Sequence, residues 1–404
     1  MDILKNNKKK ESDRHSSSKS SVLKYLAKSI ESPTIPEIAE YLNISVPTGT
    51  KVVMDLVNDG YIVKDGKRVV ENGRKPTQYR INQEKFYVVG VEVLSKWIHV
   101  SIRKPNLESV HEQLSREFVL EDSPACLDFI ETFISKTIED SKISKENIIG
   151  VGVGMIGDID VHVNQPSNYY SELSDALTQH LKSRLDLPVV IDNDTRAIAI
   201  AEQTIGAAKD FEDALIVKVS RSLGIAMIVG GTLVSGTKGF AGNLAHMQFN
   251  ESKNRLCVCG KTGCLGTEIG GTALKNELEE SLKENKTSIK FDLETSNSST
   301  YHQILEAAQK GDGLSVKLIQ DQGEKLGAAL GNILNLLNPE LVVIGGEFVM
   351  VMDIFMDAVK MGIRKSALLD SLNNCEIRST TLGRYLSSKA GACLMLKSAE
   401  MIDY

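Results

Sequence analysis

The segments Ile148–Gly157, "IIGVGVGMIG", and Pro188–Thr195, "PVVIDNDT", decide how this chain is read. Each is a short apolar run that ends in turn-forming or acidic residues. Each therefore reads as a strand buried on both faces, with polar groups delivered at its end. Working outward, "FYVVGVEVL" (86–94) and "WIHVSIR" (97–103) read as paired strands, and "DALIVKVS" (213–220) and "LGIAMIVGG" (223–231) follow further along. A long helical pattern, "VKLIQDQGEKLGAALGNILNLLN" (316–338), then precedes "PELVVIGGE" (339–347). Strands interleaved with helices imply an α/β fold with a largely covered sheet.

Bulk properties narrow the function classes. A chain of 404 residues has room for two or three domains with cores of their own, and 42% hydrophobic with 5% aromatic content is ordinary for a soluble α/β protein. No apolar run is long enough to cross a bilayer. The start, "MDILKNNKKKESDRHSSSKS", is charged and serine-rich without an apolar core, so it is not a signal peptide and the chain reads as cytoplasmic. Six cysteines in such a chain point to thiols or metal ligands before disulfides. Charge is uneven: residues 1–84 carry 15 Lys/Arg against 11 Asp/Glu, and the remainder 32 against 42. A small basic front on an acidic body implies that the front approaches a polyanion.

That front has its own grammar. Residues 1–20 read as a disordered basic arm. From Val22 the apolar residues follow helical spacing. In "TIPEIAEYLNIS", Thr34 and Glu37 form a capping box, with Pro36 in the first turn. Ser45 caps a third helix that is expected to turn Val46, Val53, Leu56 and Val57 inward and to stop at Gly60. Two extended segments follow, "YIVKDG" and "RVVENGRKPTQYRI". Three helices with a tight turn before the third, then a two-stranded wing, is the winged helix-turn-helix pattern over residues 21–84. It would place Ser45, Pro47, Thr48, Gly49, Thr50 and Lys51 at the major groove, and Arg74 and Lys75 of "NGRKP" on a short basic arm for the minor groove.

A further cluster lies at "RLCVCGKTGCLG" (255–266). His246, Cys257, Cys259 and Cys264 supply four soft or borderline ligands, the set a structural zinc prefers. Gly260 and Gly263 let the chain turn tightly, and four protein ligands leave no open position for a reactive water. Cys126, Cys375 and Cys393 sit on apolar segments and read as packed thiols.

Taken in order, "GVGVGMIGDID", "DNDTRAIAIAE", "GFAGNLAHM", "CVCGKTGCL" and "LNPELVVIGG" resemble the ROK family of sugar kinases and sugar-responsive repressors, and the winged front points to its repressor branch. The resemblance covers essentially the whole chain. It implies an actin-like (ribonuclease H-like) body over residues 85–404, two α/β lobes with a sugar in the cleft, and one structural zinc per chain in a loop at 242–266. It implies effector contacts from Asn168, Asn193, Asp194, Asn243 and His246, with the His246 ring facing both metal and sugar. Asp194 matches the base of the family's kinases. It also implies operator DNA as partner and a homodimer or homotetramer, with no membrane.

Departures from the kinase pattern argue against an enzyme. The first phosphate loop, Asp-x-Gly-Gly-Thr-Lys in the family, is here "EVLSKW", where Leu94 and Ser95 fill the space of bare backbone. The second reads "SRSLGIA" and keeps Gly224 alone. No catalytic residue is expected, and Asp194 is assigned to ligand binding. The pocket differs too: Asn243 and Gly266 stand where kinases have Glu, and Ala245 replaces a usual glycine. Glu268 lies close by in sequence. These changes point to a pentose or modified sugar. The competing reading is an ATP-dependent sugar kinase with an appended DNA-binding domain.

Overall fold

The computed structural model describes residues 14–29, 31–69, 75–160, 162–163, 165–166, 171–249, 254–283, 291, 300–383 and 386–402. The front opens with α1 (Arg14–Lys28). The arm expected to stay disordered through residue 20 is thus helical from residue 14, while residues 1–13 lie outside the described residues. Val22, Leu23 and Leu26 of α1 are buried. At α2 (Ile35–Tyr41) the Thr34 N–H and hydroxyl both donate to the Glu37 carboxylate at 2.8 Å, closing the predicted capping box. At α3 (Val46–Asn58) the Ser45 hydroxyl accepts from the Thr48 N–H, and Gly60, at φ +77°, ends the turn beyond. Val53 and Leu56 face inward, but Val46 does not: at the first turn of α3 it is 48% exposed.

Strands β1 (Ile62–Lys67) and β2 (Thr77–Ile81) pair antiparallel as the wing, and Gln78 of β2 bridges back to Thr34. Ile62, Tyr79 and Ile81 join the helices in one small core. The winged helix-turn-helix order is therefore present.

Among its described residues the body contains two five-stranded sheets, besides a short pairing of Ile159–Asp160 with Gln165–Pro166. In the first, β3 (Tyr87–Leu94), β4 (Trp97–Arg103) and β5 (Ser109–Ser115) form an antiparallel meander. Helix α4 (Pro124–Asp140) leads to β6 (Ile148–Met155), and α5 (Ser171–Leu185) leads to β7 (Val189–Asn193). β6 and β7 add in parallel, giving the order β5-β4-β3-β6-β7. The glycine repeat of "GVGVG" has a packing cause: a Cβ at Gly152 would fall 1.9 Å from the Gly391 carbonyl.

The second sheet follows α6 (Asp194–Ile205). It has β8 (Ala214–Val219), β9 (Leu223–Val229) and β10 (Thr232–Leu233). Next come α7 (Gly271–Leu282), α8 (Thr300–Gln309), α9 (Gly313–Leu337), β11 (Leu341–Gly345), α10 (Met352–Ser366), α11 (Leu369–Asn373), β12 (Glu376–Ser379) and α12 (Leu386–Ser398). Its order is β10-β9-β8-β11-β12, with β11 and β12 parallel to β8. Helices α9 and α10 meet backbone to backbone, a Cβ at Gly327 falling 2.1 Å from the Val359 carbonyl.

Contacts divide the chain into two units. The first holds residues 1–157, 164–194 and 388–403, so the winged front and the first sheet belong together. The second holds 158–163 and 195–387, with residue 404.

Candidate functional site

On the winged front, the start of α3 exposes Ser45, Pro47, Thr48, Thr50 and Lys51. The Thr50 hydroxyl donates to the Val46 carbonyl at 2.8 Å, a common helix back-bond. Gly49 is different. It is buried, and a Cβ there would sit 3.1 Å from the Ala39 Cβ, so it faces α2 and sets the helix crossing. Its expected place among the DNA-facing residues is corrected to a packing role. Lys75 is exposed, and Arg74 lies outside the described residues. Sequence reasoning passed over Lys64 and Lys67, both exposed on β1 of the wing; strand alternation alone does not single them out. The wing is held by the Arg80–Asp65 pair at 2.8 Å and by Arg68 on Glu37.

The connection from wing to body is tight. The Asn82 N–H donates to the Tyr61 carbonyl and its amide to the Gly60 carbonyl, both at 2.9 Å. Phe86 is fully buried, with its ring 5.5 Å from that of Tyr61. Lys24 of α1 pairs with Glu400 at 2.9 Å, and Glu84 with Lys104 at 2.6 Å.

In the second unit, His246, Cys257, Cys259 and Cys264 come together, all four ligand atoms lying within 4.8 Å of one another. Backbone pairing builds the loop: Leu256 bridges Thr262, Gln248 bridges Cys264, and Cys257 N–H donates to the Lys261 carbonyl at 2.7 Å. Gly260 and Gly263 take φ of +82° and +74°, as the turn requires. The Cys259 and Cys264 sulfurs are 3.6 Å apart, and His246 Nδ1 is 3.3 Å from the Cys257 sulfur. A tetrahedral zinc with Zn–S near 2.3 Å has S···S edges of about 3.8 Å, so the four residues fit that ion. Burial pushes the Cys264 thiol up to about 12, and the neighbouring thiols act the same way. Burial also opposes ionisation of Cys259, but the Lys261 amide and the adjacent thiols outweigh it and hold that thiol below its usual value.

The loop's two ends are clasped by charge. Arg255 donates to the Thr267 carbonyl and to Glu280, and lies 3.6 Å from Glu268; Lys325 reaches Glu268 at 3.0 Å and Glu277 at 2.6 Å. Glu268 is fully buried in this network. Gly266 and Ala245, two departures from the kinase pattern, face each other: a Cβ at Gly266 would lie 3.3 Å from that of Ala245.

The expected effector residues divide between the units. Asn193 and Asp194 belong to the first, at the carboxyl end of β7. The Asn193 amide donates to the Gly157 carbonyl at 2.9 Å, and Asp194, buried, opens α6. Asn243 and His246 belong to the second, where exposed Asn243 donates to Asp158 at 3.1 Å. Asn168 lies outside the described residues. The β3–β4 turn is two residues, Ser95 and Lys96, with Leu94 buried before it. Gly224 serves packing, since a Cβ there would fall 2.1 Å from Thr195 Oγ1. Cys126, Cys375 and Cys393 are buried, and burial raises the last two to about 11 and about 12.

Two α/β sheets of one strand order, with a His-Cys-Cys-Cys loop in the second unit and a winged helix-turn-helix in front, define a class of protein in which a small winged module precedes a two-lobed α/β body. Residues 89–398 match the ROK family (ROK), and the chain belongs to it. It is similar to the xylose repressor of Caldicellulosiruptor bescii, 24% identical over 350 residues covering 86% of this chain and 87% of that protein. It is also similar to the glucokinase of Halalkalibacterium halodurans, 28% identical over 277 residues covering 67% and 83%. A crystal structure of a ROK family transcriptional regulator, described as a homolog of the Escherichia coli MLC protein, superposes with a TM-score of 0.76. At 20% identity it covers 96% of this chain and 98% of that one.

Proposed function

We propose that the protein is a sugar-responsive transcriptional regulator, a repressor, acting in the cytoplasm on operator DNA. The observation that carries the reading is the polar, exposed start of α3 on a winged front that has its own core. Ser45, Pro47, Thr48, Thr50 and Lys51 enter the major groove, while Lys75 and Arg74 serve the flanking arm. Similarity over 86% of the chain to a xylose repressor supports it. A palindromic operator calls for two readers, so the working form is a homodimer or homotetramer.

A monosaccharide or derivative is the effector, met by Asn168, Asn193, Asp194, Asn243 and His246, with Asp194 as acceptor and no catalytic role. One zinc per chain is held by His246, Cys257, Cys259 and Cys264. His246 turns Nδ1 to the sulfurs, so a metal there leaves Nε2 protonated and able to donate to a hydroxyl. The Gly266–Ala245 contact leaves little room for the carboxylate that kinases carry at 266, which favours a pentose or modified sugar.

Operator binding measured by fluorescence anisotropy against a panel of pentoses, hexoses, N-acetylated hexosamines and sugar phosphates tests the reading. One sugar class should shift operator affinity by roughly 5- to 150-fold. No response to any sugar would sink it. The kinase reading draws on similarity to a glucokinase. Turnover on the scale of about 1 per second with ATP in a coupled assay would put it first.

A further inference from the structure

Open α/β sheets take ligands in the crevice outside the carboxyl ends of their parallel strands. In the second unit that place lies after β8 and β11, which are adjacent and parallel. The β8–β9 turn, Ser220 to Ser222, and the β11 turn at Gly345 and Gly346 press together there. At Gly346, φ +93°, a Cβ would fall 2.4 Å from the Val219 carbonyl and 2.8 Å from Ser220 Oγ. The Ser220 and Arg221 carbonyls accept from the N–H groups of Gly271 and Thr272 at 2.8 and 3.1 Å, so the start of α7 covers the turn.

What faces the turn from β11 is Glu347. The Glu347 N–H donates to Ser220 Oγ at 3.2 Å. Its carboxylate accepts from the Tyr301 hydroxyl and lies 2.8 Å from His302 Nε2. The Tyr301 ring stands over Gly271, within 2.5 Å of where a Cβ would be. Glu347 is 7% exposed. A buried carboxylate is costly unless donors meet its charge, and the tyrosine hydroxyl and imidazole supply them. The same donors suit a phosphate oxygen.

We propose that Glu347 is an internal anion: it takes the donor set at the carboxyl ends of β8 and β11 and closes this crevice to phosphate-bearing ligands, nucleotides above all. A second anion would meet repulsion from a carboxylate shielded from water and find Tyr301 and His302 already engaged. A regulator of this construction reads its effector without competition from cellular ATP at this unit.

Calorimetric titration of the full-length protein with magnesium AMPPNP, and separately with inorganic pyrophosphate, tests the idea on wild type, Glu347→Gly and Glu347→Gln. Glu347→Gly should bind at least one probe about tenfold or more tighter than wild type, on the scale of like-charge repulsion at an effective dielectric near 20. Glu347→Gln, which removes charge and keeps volume, should fall between. Wild type binding both probes as tightly as Glu347→Gly overturns the proposal. So does a lack of gain in both variants when both melt cooperatively; if Glu347→Gly does not fold, Glu347→Gln against wild type decides alone. Operator binding and sugar response, measured on the same preparations, should stay at wild-type levels, so failure here is distinguishable from failure of the regulator reading.

Discussion

The two body sheets share a strand order but part company at the carboxyl ends of their strands. In the first unit, β7 ends on Asn193 with Asp194 next to it, polar groups placed at a strand end, and the β3–β4 hairpin closes in two residues behind buried Leu94. In the second, the β8–β9 turn is covered by α7 and faced by Glu347, while the clustered metal-ligating side chains lie on the His-Cys-Cys-Cys loop. Equal topology therefore does not give equal side chains at the strand ends. Strand order fixes where loops emerge, and the residues in those loops decide what binds.

The largest test of that comparison concerns how each unit holds its backbone approaches. Gly152→Val drives a branched side chain into the Gly391 carbonyl, which has no rotamer to yield. It should destabilise the first unit by about 3 kcal/mol or more. Gly224→Ala in the second unit meets the Thr195 hydroxyl, a side chain that can rotate, and should cost about 1–2 kcal/mol. Calorimetry resolves the two; equal losses would mean the carbonyl contact is not rigid.

Next in size is the metal loop. Cys259→Ser should remove bound zinc, as read by elemental analysis, and abolish the sugar response. Operator affinity should stay within about threefold, because the winged front has a separate core and lies in the other unit. Full zinc content with a normal response would show the cluster to be packed thiols. The Arg255–Glu268–Lys325 clasp should keep the base of the loop in place when the tip is lost.

Much of this was legible in the sequence because local chemistry and global fold agree there. The Thr34–Glu37 box, the Ser45 cap, the paired strands from Phe86 and the His246–Cys264 ligands all carry their signal in spacing. What stayed hidden depends on partners distant in sequence. Gly49 reads as a small residue suited to DNA until Ala39 is found 3.1 Å from its Cβ position. Glu268 reads only as a carboxylate close by in sequence until Lys325, far along the chain, is found 3.0 Å from it. Val46 shows the limit of apolar spacing at a helix start, where a residue of the first turn stays 48% exposed.

Smaller still is the contribution of a single cation on the front. Lys51→Ala should weaken operator and non-operator DNA alike, by about 1 kcal/mol, and lower the slope of log affinity against log salt by about 1. A sequence-selective loss with an unchanged slope would instead place Lys51 on a base edge.

The smallest expected effect is a pH dependence confined to the first unit. His99 on β4 stands across from Glu92 on β3, with Arg103 and Glu112 as charged neighbours. Burial lowers its pKa below the ordinary value, Glu112 acts in the opposite direction, and Arg103 adds to the lowering. The folded protein thus holds His99 neutral where the unfolded chain would bind a proton. By linkage, stability is fully present above the unfolded value near 6.5 and falls as pH drops below it. Replacing His99 with Gln, which cannot titrate, should flatten the loss of melting temperature between pH 7 and 5.5 without changing the second unit's behaviour. If the slope is the same in both proteins, the acid sensitivity of the first unit belongs to its carboxylates and not to the buried imidazole.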